Sequence, residues 1–270
     1  MSTTNHKILI AHEVPISMLR YIEGKTDYQY ALVHLFKNEA YNSYFRDFIK
    51  RDGRVILDNS LFELGTMFDA ETFAEAVNDI RPAEYIIPDA FNDADATMKS
   101  ASDWMQKYKD LPGRKIGVLQ GKDWADLRDC YNHMVRVGVD KIAINFNPLK
   151  MDKQDIGHWG VSRFSFLRYI YDEYEGEGIK MPLHLLGCSL PQEFEIYKSA
   201  PFRSYIETID TSNPVLLGLQ GTEYNSWGRR TKPSDKMNDF MEADYPNTST
   251  LEIIDKNIDT FKNFVNGPSV

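Results

Sequence analysis

Cysteine is nearly absent: Cys130 and Cys188 are the two in 270 residues. That is too few for a disulfide framework or a zinc ribbon, and it fits a reducing compartment. Long apolar runs are missing too. No stretch reaches the roughly 18 apolar residues of a membrane-spanning helix. The N-terminal MSTTNHKILIAHEV lacks the apolar core of a signal peptide. A cytoplasmic protein without a membrane partner is expected. The six histidines, His6, His12, His34, His133, His158 and His184, are scattered. None forms a cluster at metal-ligand spacing, so no metal is expected. His12, in Ala11–His12–Glu13, has the best position of the six for catalysis. There is no Gly-x-Ser-x-Gly elbow and no Walker loop. Positive charge is in deficit, with 31 Lys and Arg against 40 Asp and Glu and a net charge of −9. That argues against non-specific coating of nucleic acid, while leaving a local basic groove open.

The 42% hydrophobic content supplies one large core. The chain reads as short apolar runs alternating with helical periodicity. Strands are expected at residues 7–11, 54–58, 85–88, 115–119, 141–146, 183–186 and 205–209, with a further one at 215–219. Helices are expected at 40–51, 69–80, 93–109, 123–137, 162–174, 191–199 and 250–265. Asp69 should cap the second of these, and Pro82 stop it. Residues 221–250 are polar, contain Gly228, Pro233 and Pro246, and read as a long loop region. Strands alternating with helices indicate a parallel sheet. Seven or eight such units in this length fit a single-domain (β/α)8 TIM-like barrel over residues 1–270.

The organising stretch is Val55 to Gly65, VILDNSLFELG. Three β-favouring residues run into Asp58, which belongs where the strand gives way to a loop. The pattern returns at Tyr85–Asp89 and at Tyr205–Asp210. In a parallel barrel such ends share one rim, and ligands bind there. The expected rim carries Asp58, Asp89, Gln120, Asn147, Gly187 and Asp210. An aspartate after a strand is also ordinary turn or cap chemistry. Carboxylates with amides suit a polar, planar or sugar-like substrate. One aspartate can attack an anomeric carbon, another can shuttle a proton, and the third with Gln120 can read a heterocycle edge. Phe62 can stack on the ring.

These segments resemble those of the tRNA-guanine transglycosylases, TIM barrels that exchange guanine in nucleic acid for a 7-deazaguanine. The matching positions are Asp58-Asn59-Ser60-Leu61-Phe62, Asp89, Gly117-Val118-Leu119-Gln120-Gly121, Leu185-Leu186-Gly187, and Asp210 in Ile209-Asp210-Thr211-Ser212-Asn213-Pro214. They span Val55 to Pro214. The chain departs from the family at Ser60-Leu61, where a glycine pair is usual, and at Cys188, where a second glycine is expected. The family's zinc-binding cysteines are missing, so no zinc subdomain is expected. The compact phage-type relatives that act on DNA are therefore the better likeness, which would place the protein in a host cytoplasm.

The resemblance implies Asp210 as nucleophile and Asp58 as general acid/base, with no organic cofactor. It implies Phe62, Asp89, Gln120, Gly121 and Gly187 around the base, which would be guanine or a 7-deazaguanine such as preQ0. DNA is the implied partner, with tRNA as the alternative. A nucleoside or sugar glycosidase or transferase is the rival without nucleic acid, and a non-catalytic base- or protein-binding barrel is another. Arg229, Arg230, Lys232 and Lys236 follow Trp227 and suit a phosphate track beside a stacking platform, or else a solvated loop.

Overall fold

Eight parallel strands form one sheet that curls almost completely onto itself. The computed structural model describes residues 6–146, 148, 156–174, 181–228 and 235–267, with backbone alone over 156–160. The strands are β1 (Leu9–His12), β2 (Gln29–Leu32), β3 (Val55–Asp58), β4 (Glu84–Ile86), β5 (Arg114–Val118), β6 (Lys141–Ile144), β7 (Leu183–Leu185) and β8 (Ile206–Thr211). Their order is β1-β8-β7-β6-β5-β4-β3-β2. The helices are α1 (Leu19–Ile22), α2 (Glu39–Lys50), α3 (Leu61–Leu64), α4 (Ala70–Ile80), α5 (Ala94–Lys107), α6 (Trp124–Val137), α7 (Ile156–Tyr174), α8 (Glu193–Tyr197), α9 (Asn213–Leu219) and α10 (Thr248–Asn266). The chain folds as a single-domain (β/α)8 barrel.

The β1–β2 seam is closed by the turn before β2, whose Asp27 N–H donates to the Ile10 carbonyl at 2.9 Å and whose side chains add further bonds. Asp27 accepts from the Ile10 N–H at 2.9 Å, and the Thr26 hydroxyl donates to the Ile10 carbonyl at 2.9 Å. The His12 N–H donates to Thr26 at 3.2 Å. Backbone groups at this open seam are thus satisfied without a ladder.

Helix starts follow the sequence closely. Asn38, Asp69, Asp93, Asp123 and Asn247 each accept a backbone N–H three residues on. Each such cap contributes about 1 kcal/mol. The apolar faces of α4 and α6 bury Phe73, Val77 and Ile80, and Leu127, Tyr131 and Met134.

Two strand expectations are corrected. Residues 215–219 belong to α9, where Pro214 sits in the first turn. Proline is suited to that position because its missing N–H is not needed there. The strand that completes the barrel is Gln29–Leu32, buried at every position. Its four residues show no alternation because both faces are covered. Each strand after the first therefore stands one place later in the barrel than expected. The polar segment after α9 also holds a short 3-10 turn, Met237–Phe240, with Met237 and Met241 buried. Asn257 of α10 ties this segment down, donating to Pro214 and Thr222 carbonyls and accepting from the Tyr224 N–H.

The N-terminal end of the barrel is plugged by charge. Lys141, fully buried, lies 2.6 Å from Glu84 and 3.3 Å from Glu207. Arg54 pairs with Glu84 and Glu207, and Arg114 with Glu207 at 2.9 Å. A buried ion is tolerated only with such partners. The opposite, C-terminal end is left as the mouth.

Candidate active site

Asp58 is the last residue of β3, and Asp210 lies one residue from the end of β8. Asp89, Gln120 and Gly187 follow β4, β5 and β7 by two or three residues. All five sit at the C-terminal end of the sheet, so the shared rim is present. Asn147, Arg229, Arg230 and Lys232 lie outside the described residues.

Asp210 is buried and held from two directions. The Gly187 N–H donates to its two oxygens at 3.2 and 3.1 Å. His184 Nε2 lies 3.1 Å from Oδ1. The Glu13 carboxyl lies close by, and the Asp210 charge helps to push its pKa up. Gly187 has φ +61°, and a Cβ there would meet nothing closer than 3.7 Å. Backbone conformation, rather than space, is what requires glycine at this N–H donor.

Asp58 accepts from the Tyr30 hydroxyl at 2.6 Å and from the Ser60 N–H at 2.5 Å. Ser60 has φ 62°, a left-handed turn that aims this N–H back at the strand end. Burial pushes the Asp58 carboxyl up to about 8, with the Glu63 charge adding to it and the two donors opposing it. The Tyr30 ring stacks on His184 at 5.9 Å and 11°. One tyrosine thus hydrogen-bonds to Asp58 and stacks on a partner of Asp210.

Asp89 is pinned by amides. Asn59 Nδ2 and Gln120 Nε2 each donate to it at 2.7 Å. The Gln120 oxygen accepts from the Asn92 N–H at 3.0 Å, which fixes the amide's orientation. Burial raises the Asp89 carboxyl to about 6, and the two amides hold it from going higher. Asn59 therefore serves Asp89, and the donor to Asp58 is the Ser60 backbone.

Gly121 is buried where α6 begins, and a Cβ there would come 2.6 Å from the Asp126 Cβ. Its lack of a side chain lets the rim loop close on the helix. Phe62 is 46% exposed at the mouth, edge-on to Phe91 at 6.4 Å. Lys236 Nζ sits 4.4 Å above the Phe62 ring. The described part of the basic segment thus folds back over the mouth.

Sequence reasoning missed four rim residues. Glu13 has its carboxyl pushed well up, by burial first and then by the charges of Asp210, Glu63 and Asp58. Glu63 is also raised, by burial above all, with Asp210 contributing. Tyr30 was hidden with its strand. His184 was counted among scattered histidines, yet it contacts Asp210. A polar residue inside the apolar run Leu183–Leu185 was the available signal, because a buried polar group needs a partner. His12 instead packs edge-on to Phe261 of α10 at 6.1 Å. Burial lowers its pKa to about 3, and its ring nitrogens have no hydrogen-bond partner among the described residues.

The arrangement separates two carboxyls by environment. One is held by N–H donors, and the other is kept protonated near neutral pH, a division that serves nucleophile and acid. Among the described residues no group of three or more His, Cys, Asp or Glu is arranged to hold a metal ion, and no helix is long and apolar enough to cross a membrane. Compared with known protein families and with curated proteins, the chain matches none.

Proposed function

We propose that the chain is a base-exchanging transglycosylase that replaces guanine in DNA with a 7-deazaguanine of the preQ0 type. The observation that carries this reading is the contrast between Asp210 and Asp58 at one mouth. Asp210 is gripped by the Gly187 N–H and His184, as a nucleophile that must meet an anomeric carbon in one orientation requires. Asp58 keeps its proton up to about pH 8. Both its oxygens already accept hydrogen bonds, so its own proton is free for a departing base.

In the first step an Asp210 oxygen bonds to C1′ and the glycosidic C–N bond breaks. The electron pair leaves with guanine, which takes the Asp58 proton. In the second step Asp58, now a carboxylate, removes the proton from the ring nitrogen of the incoming base. That nitrogen bonds to C1′ and releases Asp210. Asp89, fixed by Asn59 and Gln120, offers acceptors to the N–H edge of a guanine-like ring. Phe62 and Phe91 give the base an apolar wall, which suits a nucleotide swung out of the stack.

A second reading, a glycosidase or transferase on free nucleosides, is favoured by the net charge of −9 and by the carboxyl-rich mouth. Both disfavour a polyanion. The test is incubation with DNA, tRNA or nucleosides together with labelled guanine, preQ0 or preQ1, followed by nucleoside mass spectrometry. Label in DNA is expected. Label only in tRNA moves the reading to the RNA enzyme. Turnover of free nucleosides alone replaces it with the second reading.

A further inference from the structure

A line of polar contacts crosses the barrel interior from the plugged end to the mouth. Lys141 Nζ lies 2.6 Å from Glu84 Oε2, 3.3 Å from Glu207 Oε2 and 3.2 Å from Thr208 Oγ1. Thr208 Oγ1 lies 2.9 Å from His184 Nδ1. His184 Nε2 lies 3.1 Å from Asp210 Oδ1. Lys141, Thr208 and His184 are all fully buried. Thr208 and Asp210 alternate on β8, so they project to the same side of the strand, and His184 registers opposite Thr208.

The donors in this line can be counted. An ammonium has three N–H groups and no acceptor. Lys141 has three acceptors within reach: two carboxylates and the Thr208 hydroxyl oxygen. Thr208 Oγ1 therefore accepts from Lys141. Its own O–H has one remaining neighbour among the described residues, His184 Nδ1, which must then be the lone-pair nitrogen. The imidazole proton is left on Nε2, pointing at Asp210. The reverse tautomer would put an N–H on Nδ1 and strand the Thr208 hydroxyl hydrogen without an acceptor. It would also set two lone pairs against each other between Nε2 and Asp210.

We propose that Lys141, Thr208 and His184 form a one-way hydrogen-bond relay that fixes the His184 tautomer and so orients the Asp210 carboxylate at the mouth. Thr208 and Lys141 are positioning residues that act through His184, although they lie toward the closed end of the barrel. The functional consequence rests on the transglycosylase reading. The tautomer does not.

The test uses protein labelled with 15N-histidine, with the His184 signals assigned by their loss in His184→Asn. The wild type near neutral pH is expected to show a protonated Nε2 and an unprotonated Nδ1. Thr208→Val keeps the shape but removes the hydroxyl, and it should release the tautomer preference. Thr208→Ser should restore it. In the exchange assay Thr208→Val should lower kcat about tenfold or more at similar KM, as a misdirected imidazole does elsewhere, and Thr208→Ser should recover it. A wild type with Nδ1 protonated overturns the relay, as does a Thr208→Val spectrum unchanged from wild type. If Thr208→Val does not fold, the wild-type and Thr208→Ser spectra decide. If the wild type shows no base exchange, the proposed function fails while the nitrogen spectra still judge the relay.

Discussion

Replacing Asp58 with asparagine should separate the stability of the rim from its chemistry. The carboxyl is raised from 3.8 to about 8 by burial and the Glu63 charge. Between those values the folded chain keeps a proton that the unfolded chain has released. Stability therefore falls as pH rises through this window, by about 1.4 kcal/mol per pH unit for one such group. From about pH 5 to about pH 8 the effect sums to roughly 4 kcal/mol. Glu63 and Glu13 share the same field, so removing one charge relaxes the others, and about 2 kcal/mol is the expected net difference.

Asparagine has no proton to lose. Its oxygen can still accept from Tyr30, but its NH2 then faces the Ser60 N–H, which costs about 1–2 kcal/mol at every pH. The variant should be less stable than wild type near pH 5. It should draw level or pass it near pH 8. Urea unfolding at the two pH values, with unchanged m, measures this. Base exchange in the variant should fall by about a hundredfold or more, while binding of guanine is largely retained. Two stability curves that stay parallel across the range would mean that Asp58 is not held protonated, and its role as the acid would go with them.

Asp210→Asn should abolish exchange and any trapped protein–nucleic acid adduct; an adduct that persists there but vanishes in Asp58→Asn would reverse the two roles. Gly187→Ala forces a left-handed residue with a Cβ, at a cost of about 1–2 kcal/mol. It should lower kcat because the N–H on Asp210 is displaced, and a normal kcat would remove that donor from the site. Arg163, fully buried on α7, pairs with Glu193 at 2.8 Å and donates to the Ile144 and Leu186 carbonyls. Arg163→Met should destabilise the chain by about 3–5 kcal/mol, read as a lowered urea midpoint; an unchanged midpoint would show that the pair does not hold the rim loop. Charge reversal at Arg229 and Arg230 should weaken DNA binding and flatten its salt dependence. Binding unchanged at all salt concentrations would exclude that segment.

The helices were legible because their signals are local. Asp69, Asp93 and Asp123 cap through N–H groups three residues away, and Gly138 ends α6 in a left-handed conformation. Asp58, Asp89 and Asp210 were legible because an acidic residue closing an apolar run marks a strand end. Strand β2 was not, since a four-residue run buried on both faces carries no period. Nor was α9, whose apolar run reads as a strand because the helix is buried on nearly every side, as a buried strand would be.

By itself the sequence determined the alternation of strands and helices, the parallel barrel that follows from it, and the carboxylates and amides at the rim. These depend on neighbours within a few residues. Only the tertiary structure decided the environment of each rim group. Asp58 and Asp210 are the same side chain at equivalent ends of one carboxyl cluster, yet the first accepts from Tyr30 and Ser60 and the second from the Gly187 N–H beside His184. That difference comes mainly from residues 23 to 197 positions away in the chain: Tyr30, His184, Gly187 and Glu13. Protonation and orientation depend on burial and on donors crossing the barrel, and strand closure brings those together without leaving a pattern along the chain.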